Sequence, residues 1–211
     1  MKTDSEKFKK IGGESNKMTF GKFLPVALMI GASAGLFVYV GALLGIVLWV
    51  PFFSWAMFFA VGPNHSVRMK RLPKDVVALV GGTAFAVAFI ALIPVLTKMG
   101  LTFPVTGAIL AFLAATIIVL LELTSLWEYA PGYFISFAGY FAYAFGAGTA
   151  AKLGAYDSKN ALMSFVYFSA LLISGFILGV ITSWLREAIL NAEGVPIEQQ
   201  QTVFDKEQKA T

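Results

Sequence analysis

The chain has 211 residues and no cysteine. That excludes a disulfide framework, an iron–sulfur cluster, a thiolate zinc site, a cysteine nucleophile and a lipoprotein anchor. Histidine occurs once, at His65, too few for a histidine metal cluster within one chain. Charge is scarce as well. Asp, Glu, Lys and Arg make up 13% of the residues, about half the ~25% of soluble domains. The sequence has no Walker loop, no dinucleotide fingerprint and no His-Glu-x-x-His. We therefore expect no enzyme, no cofactor and no metal. The net charge of +4 needs no nucleic acid to explain it.

In place of charge there is apolar surface. Hydrophobic residues make up 58% of the chain, with 20 Phe and 20 Gly, and the mean hydropathy is +0.76. A soluble domain of ~150 residues still exposes about 30% of its chain surface, so it could not hide this composition. The expected fold class is an all-α integral membrane protein.

Six spans are expected: 23–50, a short piece at 51–61, then 75–96, 103–126, 130–152 and 160–185. Residues 1–22 and 191–211 read as polar tails around a transmembrane domain at 23–190. At ~1.5 Å per residue the second piece covers about half of a ~30 Å hydrocarbon core. With six spans both termini share one side. That side collects the six Lys of residues 1–22, then Arg68, Lys70, Arg71 and Lys74, and Arg186, Lys206 and Lys209. The other side receives Lys98, Lys152 and Lys159. The positive-inside rule then makes both termini cytoplasmic. If the short piece were re-entrant, the count would be five.

An offset of 82 residues relates the halves, about 23–98 and 103–186. Ser54-Trp55-Ala56-Met57-Phe58-Phe59-Ala60 lines up with Ser136-Phe137-Ala138-Gly139-Tyr140-Phe141-Ala142, with four identities and two aromatic swaps. The same offset pairs Asp75 with Asp157, both read as helix N-caps. Three spans per half is odd, so two such halves would be inverted repeats, with a solute path between them near the midplane. Gly31-x-x-x-Gly35, Gly41-x-x-x-Gly45 and Gly175-x-x-x-Gly179 permit close helix approach. They serve contacts within a protomer or in a homo-oligomer.

Longer motifs carry a family resemblance. The run Gly45-Ile46-Val47-Leu48-Trp49-Val50-Pro51-Phe52-Phe53-Ser54-Trp55-Ala56-Met57-Phe58-Phe59-Ala60 is one of them. Ala130-Pro131-Gly132-Tyr133-Phe134-Ile135-Ser136-Phe137-Ala138 and Leu172-Ile173-Ser174-Gly175-Phe176-Ile177-Leu178-Gly179 are the others. Together they resemble a bacterial inner-membrane family catalogued as domain-of-unknown-function family 1097 (DUF1097). The likeness covers roughly residues 24–190. It implies topology and an inner-membrane location, and it implies no substrate.

The candidate path residues are Ser54, Trp55, Phe58, Glu122, Ser136, Phe137 and Tyr140. The rings form stripes at i, i+3 and i, i+4 spacing. Ser54 and Ser136 are small hydroxyls at equivalent repeat positions. Aromatic walls with a few hydroxyls suit a small polar, largely uncharged solute; the other reading of the same stripes is a closed aromatic core. Glu122 follows Leu120-Leu121 and precedes Thr124, Ser125 and Trp127, which suggests an interfacial depth, where a carboxylate is less costly than at the bilayer centre. His65, in the basic 62–74 loop, is a solvated residue or a titratable gate. The functional expectation is a channel or facilitator whose partners are the lipid bilayer and a small-molecule solute. The alternatives are the membrane subunit of a multi-component importer and a structural membrane protein.

Overall fold

The computed structural model describes residues 19–200. Among these residues six α-helices form the bundle: α1 (Phe20–Leu44), α2 (Trp49–Ala60), α3 (His65–Lys98), α4 (Phe103–Leu120), α5 (Ala130–Phe145) and α6 (Ala161–Ala192). No strand occurs among the described residues. α1, α3, α6 and α4 with the turn that follows it are long and apolar enough to cross a membrane, and α2 is apolar but has 12 residues. The chain is a multi-pass helical membrane protein.

Helix boundaries follow local chemistry. α1 ends in a Schellman motif: Gly45 has φ +67°, its N–H donates to Ala42 O at 3.1 Å, and Ile46 N–H donates to Gly41 O at 3.1 Å. The apolar run expected to continue through residue 50 therefore breaks at 45–48, and Trp49 and Val50 open α2. Pro51 fits in the first turn of α2, where N–H groups have no intrahelical acceptor.

α3 begins earlier than expected. Asn64 caps it, accepting Val67 N–H at 3.0 Å, so most of the expected 62–74 loop is helix. Lys, Arg and Met are good helix formers, and their charge disguised a helical segment as a solvated one. Asp75 is consequently no cap: it lies inside α3 at 0% exposure. Asp157 is no cap either. Its carboxylate accepts Lys159 N–H in the preceding turn, and Asn160 caps α6 by accepting Met163 N–H at 3.0 Å. Of the expected tails, residues 1–18 and 201–211 lie outside the described residues, whereas Lys22 belongs to α1 and Asn191 to α6.

α3 and α6 touch each other and carry the rest. α5 packs along α3 and α2 along α6, α4 flanks α3 and α1 flanks α6, and α2 and α5 barely touch. The main core is aromatic, with Phe58, Tyr140, Tyr143, Phe168 and Phe176 buried together.

The three Gly-x-x-x-Gly pairs have different surroundings. Gly175 and Gly179 pack against α2. Gly41 and Gly45 build the end of α1. A Cβ on Gly31 or Gly35 would meet open space.

Candidate functional site

Two helix crossings set the geometry. Where α6 crosses α2, a Cβ on Gly175 would overlap the Pro51 carbonyl and the Ser54 hydroxyl. Where α3 crosses α5, a Cβ on Gly82 would overlap the Tyr133 carbonyl and the Ser136 hydroxyl. Pro51 and Tyr133, like Ser54 and Ser136, stand 82 residues apart. Both serines are fully buried. Ser54 Oγ lies 2.5 Å from Leu172 O, across the crossing. Ser136 Oγ donates within its own helix, to Gly132 O at 3.0 Å. In an apolar environment a hydroxyl without a partner is costly, so serines turn toward main-chain carbonyls.

Between α2 and α5 lies an open groove of about 630 Å³. Its walls correspond at the same offset of 82: Phe53 with Ile135, Ala56 with Ala138, Met57 with Gly139, and Ala60 with Ala142. Tyr129, just before α5, is the lining residue with a polar tip. The groove is otherwise apolar.

None of the seven sequence-derived path residues lines it. Ser54 and Ser136 are locked in the crossings. Trp55 Nε1 donates to Thr182 Oγ1 at 2.9 Å, and its ring helps line a smaller cavity between α1 and α2. Phe58 and Tyr140 are core residues. Phe137 packs edge-on against Phe89 and Phe141, with centroids at 5.7 and 5.0 Å. Glu122 is exposed in the 3₁₀ turn after α4. His65 opens α3. The aromatic stripes thus pack as a core, and the groove opens on the neighbouring helix faces. A signal for it was present: Ala56-x-x-x-Ala60 and Ala138-x-x-x-Ala142 are small-residue pairs at the repeat offset.

A polar cluster adjoins the groove at Tyr129. Arg71 holds its guanidinium 5.4 Å from the Tyr129 ring centroid, a cation–π distance. One turn on, Asp75 is buried, and neither carboxylate oxygen has a hydrogen-bond partner among the described residues. Lys74 Nζ donates to Glu128 Oε1 at 2.7 Å. That bond and the ammonium charge hold the Glu128 carboxyl below its ordinary value. Burial pushes the Tyr129 hydroxyl above the usual phenol value. Arg68, an earlier turn of α3, donates from Nη1 to Ser183 Oγ at 3.0 Å and lies over the Phe59 ring at 4.7 Å. It ties α3 to both α6 and α2.

No match is found among curated proteins or among solved structures. A family described as a protein of unknown function (DUF1097) matches residues 27–187, most of the chain and every residue named at the crossings and the groove. The chain belongs to the DUF1097 family.

Proposed function

We propose that this chain is a membrane facilitator for a small, uncharged and largely apolar solute, which moves along the groove between α2 and α5. The observation that carries the reading is the groove wall, where every α2 position has its α5 counterpart 82 residues later. A site whose lining maps onto itself in this way belongs on the axis of an internal two-fold. The packing supports such an axis. Exchanging α1, α2 and α3 for α4, α5 and α6 turns the α3–α5 contact into the α6–α2 contact, and the α1–α6 contact into the α4–α3 contact. The two glycine–serine crossings exchange as well.

Halves of three helices related by such an axis run in opposite directions through the bilayer, and substrate sites in such folds lie at the repeat interface. The basic turns of α3 and the lysines near the N-terminus then face the cytoplasm, in a bacterial inner membrane. The apolar lining changes the solute class from polar, as the serines had suggested, to apolar. Alanine and glycine supply width without polar ligands, so an ion would shed its water with no replacement, which is costly.

Liposomes containing the purified chain test this. Ala56→Leu and Ala138→Leu each place a branched side chain in the groove. Both are expected to bring the flux of small apolar solutes down to that of protein-free liposomes, with the melting temperature unchanged. Flux that survives both substitutions would sink the proposal.

A further inference from the structure

Asp75 plays no part in the groove as described, yet its position is unusual. It lies on the buried seam of α3, with Ala78, Leu79 and Gly82. This seam meets α5: Ala78 lies against Gly132, and Gly82 against Ser136. Asp75 is fully buried and makes no hydrogen bond through either oxygen among the described residues. Arg71 stands at i−4, the spacing at which helix side chains meet, yet no ion pair joins the two. Its guanidinium lies over Tyr129 instead, and its Nε is buried without a hydrogen-bond partner among the described residues. Tyr129 in turn lines the groove. An ionised, unpaired carboxylate in such a place is costly, whereas the neutral acid is far less so.

The groups around Asp75 narrow the ligand. On α3 these are Arg71 and Lys74, and from the segment before α5, Glu128 and Tyr129. Lys74 and Glu128 are paired with each other at 2.7 Å. α5 carries Tyr133, Tyr140 and Tyr143, of which the Tyr133 hydroxyl is buried without a hydrogen bond among the described residues; α2 and α4 carry no ionisable side chain, and α6 carries Tyr167 near one end and Arg186 and Glu187 near the other. A metal cation would need several oxygen ligands and would sit beside the Arg71 charge. A proton needs a single oxygen.

From this geometry we infer that Asp75 is a proton-binding site that controls the groove through Arg71 and Tyr129. With Asp75 neutral, Arg71 rests on the Tyr129 ring, as seen. When Asp75 gives up its proton to water, its carboxylate draws the Arg71 guanidinium one turn along α3 and frees Tyr129 from its cation. One proton leaves, no covalent bond other than O–H changes, and the groove wall at Tyr129 loosens. Control of the groove rests on the transport reading above; proton binding does not.

Infrared titration of the full chain in zwitterionic liposomes tests the inference directly. With ¹³C-labelled aspartate, a carboxylic acid C=O band is expected to persist above the pH at which exposed aspartates ionise. The band should vanish in Asp75→Asn and return in Asp75→Glu when glutamate is labelled. In the same liposomes, Asp75→Asn should hold solute flux at the wild-type acid-pH level across the titration. A wild-type spectrum without that band would overturn the inference, whatever the flux. The band without any flux would uphold proton binding and overturn the transport reading. Flux that follows pH identically in wild type and Asp75→Asn would overturn the coupling.

Discussion

The crossing of α6 over α2 and the crossing of α3 over α5 share a plan and differ in how they are fastened. In both, a glycine lets one helix settle onto a carbonyl and a serine of the other. At the first crossing, polar bonds span the interface: Ser54 reaches Leu172 O, and the Trp55 indole reaches Thr182. At the second, Ser136 stays on its own helix, Thr83 occupies the Leu79 carbonyl, and Phe137 meets Phe89. The same close approach is thus secured once by hydrogen bonds and once by rings. The glycine is the shared requirement, and what surrounds it is free to vary.

The largest expected effect falls on the shared part. Gly175→Val and Gly82→Val should each prevent folding or destabilise by more than about 3 kcal/mol, since a new side chain meets main chain that cannot yield. Gly31→Val, facing open space, should leave the melting temperature unchanged. Thermal unfolding in detergent compares the three, and a tolerated Gly82→Val beside a lethal Gly175→Val would break the equivalence of the crossings.

The unshared part predicts smaller, unequal losses. Ser54→Ala should cost about 1 kcal/mol and Trp55→Phe a similar amount, because interhelical hydrogen bonds in membranes average ~0.6 and reach ~1.7 kcal/mol. Ser136→Ala should fall below about 0.5 kcal/mol, as its bond is intrahelical. Equal losses for Ser54→Ala and Ser136→Ala would show that the two fastenings do not differ.

The smallest effect concerns the Lys74–Glu128 pair, an ion pair between α3 and the segment before α5. Its folded-state carboxyl is held below the ordinary glutamate value by the Lys74 bond. Its contribution is therefore complete above the unfolded-state value and fades as pH falls through the lower folded-state one. Glu128→Gln should remove that slight acid sensitivity, and added salt should mask it in the wild type. A melting curve series at acid pH that is identical for the two proteins would show the pair to be idle.

Composition and hydropathy made the membrane class legible, and the length of the apolar piece at 51–61 announced a short second helix. The charged start of α3 was not legible, because Arg68, Lys70, Arg71 and Lys74 look like a solvated loop, and periodicity says little where every turn carries a cation. Asp75 was read by type as a cap, and burial inside a helix is a property of packing that no local pattern reports. The groove was missed by a single turn of reasoning. Ser54 and Ser136 stood out as hydroxyls, but a membrane hydroxyl turns toward its nearest carbonyl. The plain alanines beside them, Ala56 and Ala138, were left with the open face.

The interlocking of the halves also has a consequence for how the protein is made. α2, with 12 residues, cannot span a bilayer alone, and its principal mate is α6, which is made after the other five described α-helices. The Gly45 carbonyl at the break before α2 is met by the Lys152 amide, more than a hundred residues later. Until the second half arrives, the first holds a short helix without its principal mate and an open Gly45 carbonyl. Insertion of the early helices is therefore provisional, and release of a shortened chain that ends before α6 would hand the quality-control machinery a product with its second helix still uncommitted.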